Sequence, residues 1–133
     1  MIEIIIDASH SVLGRVASFA AKQSLLGKKV IIVNCGDAIL TGHRNSIIKE
    51  YRIIREKGGS SRKGPFFPKQ PERIMRRTVR GMLSSHQHRG RSAFRRILCF
   101  RNMPKEYELS QKIALMVKDV SSSITLSALS MEI

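Results

Sequence analysis

Tryptophan is absent from this sequence, tyrosine and cysteine occur twice each, and no acidic residue falls between Glu72 and Glu106. Each shortage excludes something. With so few large aromatics there is no obvious platform on which the bases of a single strand would stack. Cys35 and Cys99 lie far apart in the chain, each beside an apolar run and with no CxxC spacing, so both read as reduced, buried thiols. No apolar run approaches the ~20 residues of a membrane span. The short run in "MIEIIID" lacks the basic region and cleavage pattern of a secretory signal, so a cytoplasmic chain is expected. Neither G-x-G-x-x-G nor a Walker lysine motif occurs. The first strand end reads "DASHSVLGR", where the one glycine, Gly14, already belongs to a helical pattern. A nucleotide cofactor, which α/β sheets bind beyond their strand ends, is not expected.

What is present is an apolar content of 42% in 133 residues, enough for one domain over residues 1–133 with its own core. Against this stand 24 Lys and Arg and 10 Asp and Glu, a net charge of +14. The charge is regional. Residues 1–43 hold four cations and three acids, residues 102–133 hold three and four, and residues 44–101 hold 17 cations against Glu50, Glu56 and Glu72. The whole excess therefore sits in the middle of the chain, which points to a polyanionic partner.

The organisation is strand, helix, strand at the start. "IEIIID" reads as a buried strand. Asp7, Ser9 and Ser11 then offer caps to a helix whose Val12, Leu13, Val16, Ala17, Ala20, Ala21 and Leu25 share one side, and Gly27 closes it. "KKVIIVN" is a second strand, its run over residues 30–33 suiting burial on both faces, so a right-handed βαβ unit is expected. A helix follows from Arg44 to about Lys57, with Ile47, Ile48, Tyr51 and Ile54 on one side. "GGSSRKGPFFPKQP" then packs six Gly and Pro residues into residues 58–71, an extended loop expected to order only against a partner. From Pro71 the spacing turns helical to Leu83. Ile74, Met75, Thr78, Val79, Met82 and Leu83 cover one half of the cylinder; Arg73, Arg76, Arg77 and Arg80 fall in the opposite third. A basic loop through Gly90 leads to a strand over residues 97–100, and the tail suggests a helix over 109–117, a strand over 124–126 and a small last helix.

Residues 73–96 contain eight arginines and no acid. A merely solvated surface would mix signs and pair Lys with Glu at i, i+4. Arginine is used to the exclusion of lysine here, as recognition of phosphate by a planar fork favours. Backbone and shape recognition of folded RNA fits this composition better than base reading. Phe66 and Phe67 form the one exposed-looking aromatic pair, too little to anchor a membrane surface. His86 and His88 sit two apart in a loop without Cys or acid, an incomplete metal set that suits contact with phosphate better; no metal is expected. Asp7 and Asp37 end the two strands, where helix capping is a simpler role than paired acid–base catalysis.

At these residues the chain resembles the large-subunit ribosomal protein thirteen family, in its archaeal and eukaryotic form. The similarity runs through "VRGMLSSHQHRGRSAFRRILCFRN" (79–102), "IDASHSVLGRVASFAAKQSLLGKKVIIVNCGDAILTG" (6–42), "GPFFPKQPERIMRRTVRGML" (64–83) and "ITLSALSMEI" (124–133). Ser84 and Ser85 depart from the usual Pro and basic residue, His86 from a Lys, and Cys99 from an aliphatic residue. The resemblance implies one three-layer α/β/α domain around a mostly parallel sheet of about four strands, with a basic loop extension. It implies a structural constituent of the large subunit that binds large-subunit ribosomal RNA, beside neighbouring ribosomal proteins, with no catalysis, cofactor or small-molecule substrate. The family's RNA-contacting elements correspond to Arg15, to Arg44, Lys49, Arg52 and Arg55, to Arg62, Lys63, Phe66 and Lys69, and to Arg73, Arg76, Arg77, Arg80, His86, His88, Arg89, Arg91, Arg95 and Arg96. The competing reading is a small α/β enzyme acting on a nucleotide or nucleic acid.

Overall fold

The computed structural model describes residues 2–56, 67–115 and 122–133. Most of the Gly/Pro-rich loop expected over residues 58–71, with Arg62, Lys63 and Phe66, lies outside them.

The first unit is as the sequence suggests. β1 (Glu3–Asp7), α1 (Leu13–Leu25) and β2 (Lys29–Val33) follow in order, and β1 pairs parallel to β2 with Ile4 opposite Val30 and Ile6 opposite Ile32. Gly27, at φ +91, takes the left-handed position just beyond the helix, where a side chain would be strained. The start of α1 differs from expectation. Its N-cap is Val12, which makes no side-chain hydrogen bond, so Asp7, Ser9 and Ser11 do not cap it. Asp7 instead ties the two strand ends: its Oδ1 accepts from the Ser9 N–H at 3.0 Å and from the Asn34 side-chain amide at 3.1 Å. Burial alone would raise the Asp7 carboxyl, but these donors outweigh it and hold the group below its ordinary value.

β2 is the axis of the sheet, with residues 30–33 wholly buried. On its other side lies β4 (Ile97–Cys99), also parallel, with Val30 opposite Ile97 and Ile32 opposite Cys99. β5 (Ile113–Ala114) adds to the outer edge of β1, giving the order β4-β2-β1-β5. The expected helix over residues 109–117 is therefore absent across its described part. Leu109 is fully exposed, so no face is there to bury, while residues 113 and 114 supply the parallel partner that the edge of β1 needs. A separate ribbon joins β3 (Ile39–Thr41) antiparallel to β6 (Ser123–Thr125).

Parallel neighbours need a crossover, and the connection from β2 to β4 carries α2 (Arg44–Glu56), α3 (Pro71–Gly81) and α4 (His88–Arg95). A last helix, α5 (Leu126–Glu132), follows β6 and is capped by Thr125, whose Oγ1 accepts from the Ala128 N–H at 3.2 Å. One core cluster joins Ile6, Val30 and Ile32 of the sheet to α1, α2, α3, α4 and α5. The alanines of α1 (Ala17, Ala20, Ala21) let α3 approach with Ile74, Met75 and Val79. The opposite sheet face, Ile5, Ile31 and Val33, is covered by Phe100, Met103 and Tyr107 from an irregular segment with one 3-10 turn. The α/β class and parallel four-stranded sheet are as expected. Among the described residues, the third layer is this irregular segment in place of helices.

The basic loop expected through Gly90 is also helix. Gly90 suggested a loop because glycine weakens helices, but here it serves a close approach: a Cβ at this position would collide with the backbone carbonyl of Ser84. Two residues assigned to apolar faces turn outward, Met82 at 46% and Ile54 at 42% exposure, whereas Leu83, just after Met82, is buried.

Gly90→Ala is therefore expected to destabilise the protein by about 3 kcal/mol, the upper range for overpacking against atoms that cannot rotate away. Gly81→Ala, which meets nothing within 4 Å, should be neutral or slightly stabilising. Thermal melts of both by circular dichroism check this; equal melting temperatures would contradict it.

Candidate nucleic-acid interface

The arginines of α3 divide by what the helix buries. Ile74, Met75 and Val79 face α1, so Arg73, Arg77 and Arg80 are left exposed. Arg76 is half-buried. Its Nη1 donates to the backbone carbonyl of Ile97, and its guanidinium lies 4.2 Å from the centre of the Phe94 ring. This arginine therefore pins α3 to α4 and β4, an inward role that the helical spacing did not reveal. Arg77 stacks in the same way 4.2 Å over Phe67, and Phe67 packs edge-on against Tyr51 of α2 at 5.5 Å. Burial pushes the Tyr51 hydroxyl up, with Arg77 opposing it. Phe67, expected to be exposed, is thus half-buried in a three-member stack joining α2 to α3.

On α4, Arg89, Arg91 and Arg95 are exposed, as are His86 and His88 at its start. His88 lies 3.4 Å from Ser92 Oγ along the helix. Arg96 turns inward, its Nη1 donating at 2.8 Å to the Ser24 carbonyl in the last turn of α1. That carbonyl is at the negative end of a helix, where a cation is favoured. Arg15 on α1 and Lys69 before α3 are exposed.

The cations of α2 have a different setting. Arg52 donates from Nε and Nη2 to the Glu132 carbonyl at 2.9 and 2.7 Å, and Arg55 from Nη1 to the Ile133 carbonyl at 2.6 Å. Arg44 and Arg52 each reach the Glu132 carboxylate at 3.7 Å. Lys49 is exposed beside them, lining an open groove with Arg52 and Glu132. These are the two ion pairs found among the described residues, and neither involves α3 or α4. Glu72, the one acid in the sequence of α3 and α4, stands in the first turn of α3, where the helix dipole favours a negative charge.

The result is a set of arginines on α3 and α4, Arg73, Arg80, Arg89, Arg91 and Arg95, that reach solvent without an acidic partner among the described residues. Planar guanidinium forks in this setting can take phosphate oxygens two at a time. The aromatic rings nearby are no free stacking platforms, because Phe94 and Phe67 each already carry a guanidinium of this chain. The signals for Arg76 and Arg77 were the phenylalanines at positions 94 and 67, which only the fold brings beside them.

A sequence profile described as ribosomal protein L13 matches residues 2–106. The chain is 44% identical to large ribosomal subunit protein uL13 of Thermoplasma volcanium over 133 residues, covering 97% of this chain and 96% of that one. It is 43% identical to the protein of the same name from Archaeoglobus fulgidus over 104 residues, covering 78% of this chain and 66% of that one. The corresponding protein of Methanosarcina barkeri is 43% identical over 117 residues, 87% and 83% of the two chains.

Removing Arg76 should behave unlike removing Arg80. Arg76→Ala strips the Ile97 carbonyl of a charged donor and uncovers Phe94, so a loss of about 1–3 kcal/mol is expected. Arg80→Ala removes an exposed charge four residues from Arg76 and should leave the melting temperature unchanged or slightly higher. Chemical denaturation of the two variants checks this; a shared midpoint would contradict the inward role of Arg76.

Proposed function

The chain belongs to the ribosomal protein L13 family, and from that membership and its cationic crossover we propose that it is a structural constituent of the large ribosomal subunit in the cytoplasm. It binds large-subunit ribosomal RNA, stabilising it during assembly and in the mature particle, and it lies beside neighbouring ribosomal proteins. It is not an enzyme.

The observation that carries the RNA reading is the set of arginines on α3 and α4, of which six are exposed and five make no internal contact, with no acidic counter-charge among the described residues. Like charges held this close repel, and a polyphosphate relieves the repulsion while giving up its own counterions. Arg73, Arg80, Arg89, Arg91 and Arg95 form the centre of the proposed contact, flanked by His86, His88, Lys69, Arg15 and Lys49. Arg62, Lys63 and Phe66, outside the described residues, extend the proposed set along the sequence before α3. Arg76, Arg77 and Arg96 position this surface, and each retains donors beyond its internal contact. Arg44, Arg52 and Arg55 can reach RNA from the edge formed with residues 132 and 133. Such a surface recognises backbone and shape, the manner suited to double-helical RNA, whose deep groove hides its base edges.

Binding to a large-subunit rRNA fragment should weaken steeply with salt. Six phosphate contacts give a log–log slope of about −4 to −5, and Arg80→Ala should reduce it by about one. Filter binding at several potassium chloride concentrations measures both. A flat salt dependence, or a slope unaltered in Arg80→Ala, would overturn the phosphate reading.

A further inference from the structure

Cys35 and Cys99 are distant in sequence, yet the sheet brings them together. Ile32 of β2 stands opposite Cys99 of β4, the Phe100 N–H donates to the Ile32 carbonyl at 2.8 Å, and the Cys35 N–H donates to the Phe100 carbonyl at 3.1 Å. This register and the two hydrogen bonds bring the two residues together where β2 and β4 end. The Cys35 thiol is fully buried and directed at the Ile32 carbonyl, 3.7 Å away, while Cys99 is half-buried. We propose that Cys35 and Cys99 form a redox-active dithiol that a small-molecule disulfide converts to an intramolecular disulfide joining β4 to the turn after β2.

The order of steps follows from the two environments. The neighbouring Cys99 thiol and burial push the Cys35 thiol up, with Glu72 adding to the effect, so Cys35 is a poor first nucleophile. Cys99, the more accessible of the two, attacks one sulfur of the small disulfide, forming a mixed disulfide and releasing one small thiol that carries away the Cys99 proton. Cys35 then attacks the Cys99 sulfur, its proton leaving with the second small thiol. Two protein thiols become one disulfide, and one small disulfide becomes two thiols. The bond closes a loop containing α2, α3 and α4, and with them 16 of the 24 lysines and arginines. Oxidation would therefore restrict the unfolded chain across the entire basic crossover, raising the melting temperature of the free protein.

The test uses the full chain, folded and incubated with excess glutathione disulfide, then alkylated and mapped by peptide mass spectrometry. The expected product is a Cys35–Cys99 linked peptide with no glutathione retained, from a protein that melts at higher temperature than the reduced form. Cys35→Ser should instead stop at glutathione held on Cys99. Wild-type protein that retains glutathione on Cys99 with Cys35 still free, that links only between chains, or that keeps both thiols would overturn the proposal. Because the wild-type map decides the matter, a Cys35→Ser variant that fails to fold leaves the test intact.

Discussion

The rest of the structure depends on the backbone ladder on either side of β2. With residues 30–33 buried on both faces, the strand cannot satisfy its amide and carbonyl groups with water, so it needs a partner on each side. Both partners are parallel, and each must be reached by a crossover. The first crossover is α1. The second carries α2, α3 and α4, and with them 16 of the 24 lysines and arginines. The position of the arginine surface is therefore a consequence of how β2 finds its second neighbour: α3 and α4 must lie over the sheet because the chain has to return to pair with it.

Placing so many like charges on α3 has a measurable opposing force. Arg73 with Arg77 and Arg76 with Arg80 are i, i+4 pairs, each destabilising a helix by about 0.2–0.5 kcal/mol. Burying Ile74, Met75 and Val79 stabilises by about 1.5–3 kcal/mol for each side chain, so packing wins by a wide margin. The phenylalanines reduce the crowding further by drawing two of the guanidiniums onto their rings. One helix can thus be held firmly by its apolar side and still present unpaired cations on the other. The half-buried Arg76 is part of that arrangement, because it ties α3 to the strand that closes the crossover.

The elements legible in the sequence were those whose pattern arises from their own burial. The apolar runs of β1 and β2, the alanine-rich stripe of α1, the left-handed Gly27 and the two faces of α3 all follow from local spacing. What escaped depends on distant partners. Gly90 looked like a helix breaker, although its missing side chain makes room for the Ser84 carbonyl. Residues 109–115 have an apolar spacing that suits a helix, yet two of them complete the edge of β1. The regional charge located the cationic surface, but it could not tell Arg76 and Arg96, which reach carbonyls of other elements, from Arg80, which does not. The meeting of Cys35 and Cys99 required the register of β2 against β4, which no spacing within either segment encodes.

In the free protein, the sheet and α1 hold the basic crossover in place. Amide hydrogen exchange of the free protein tests it most directly, by comparing α3 with β2. If the claim holds, the amides over residues 75–80 will open only with those over residues 30–33, with the same free energy and denaturant dependence, as one cooperative unit. Exchange of α3 at the rate of an unfolded chain while β2 stays protected would show that the crossover is not folded in the free protein, and would contradict this account.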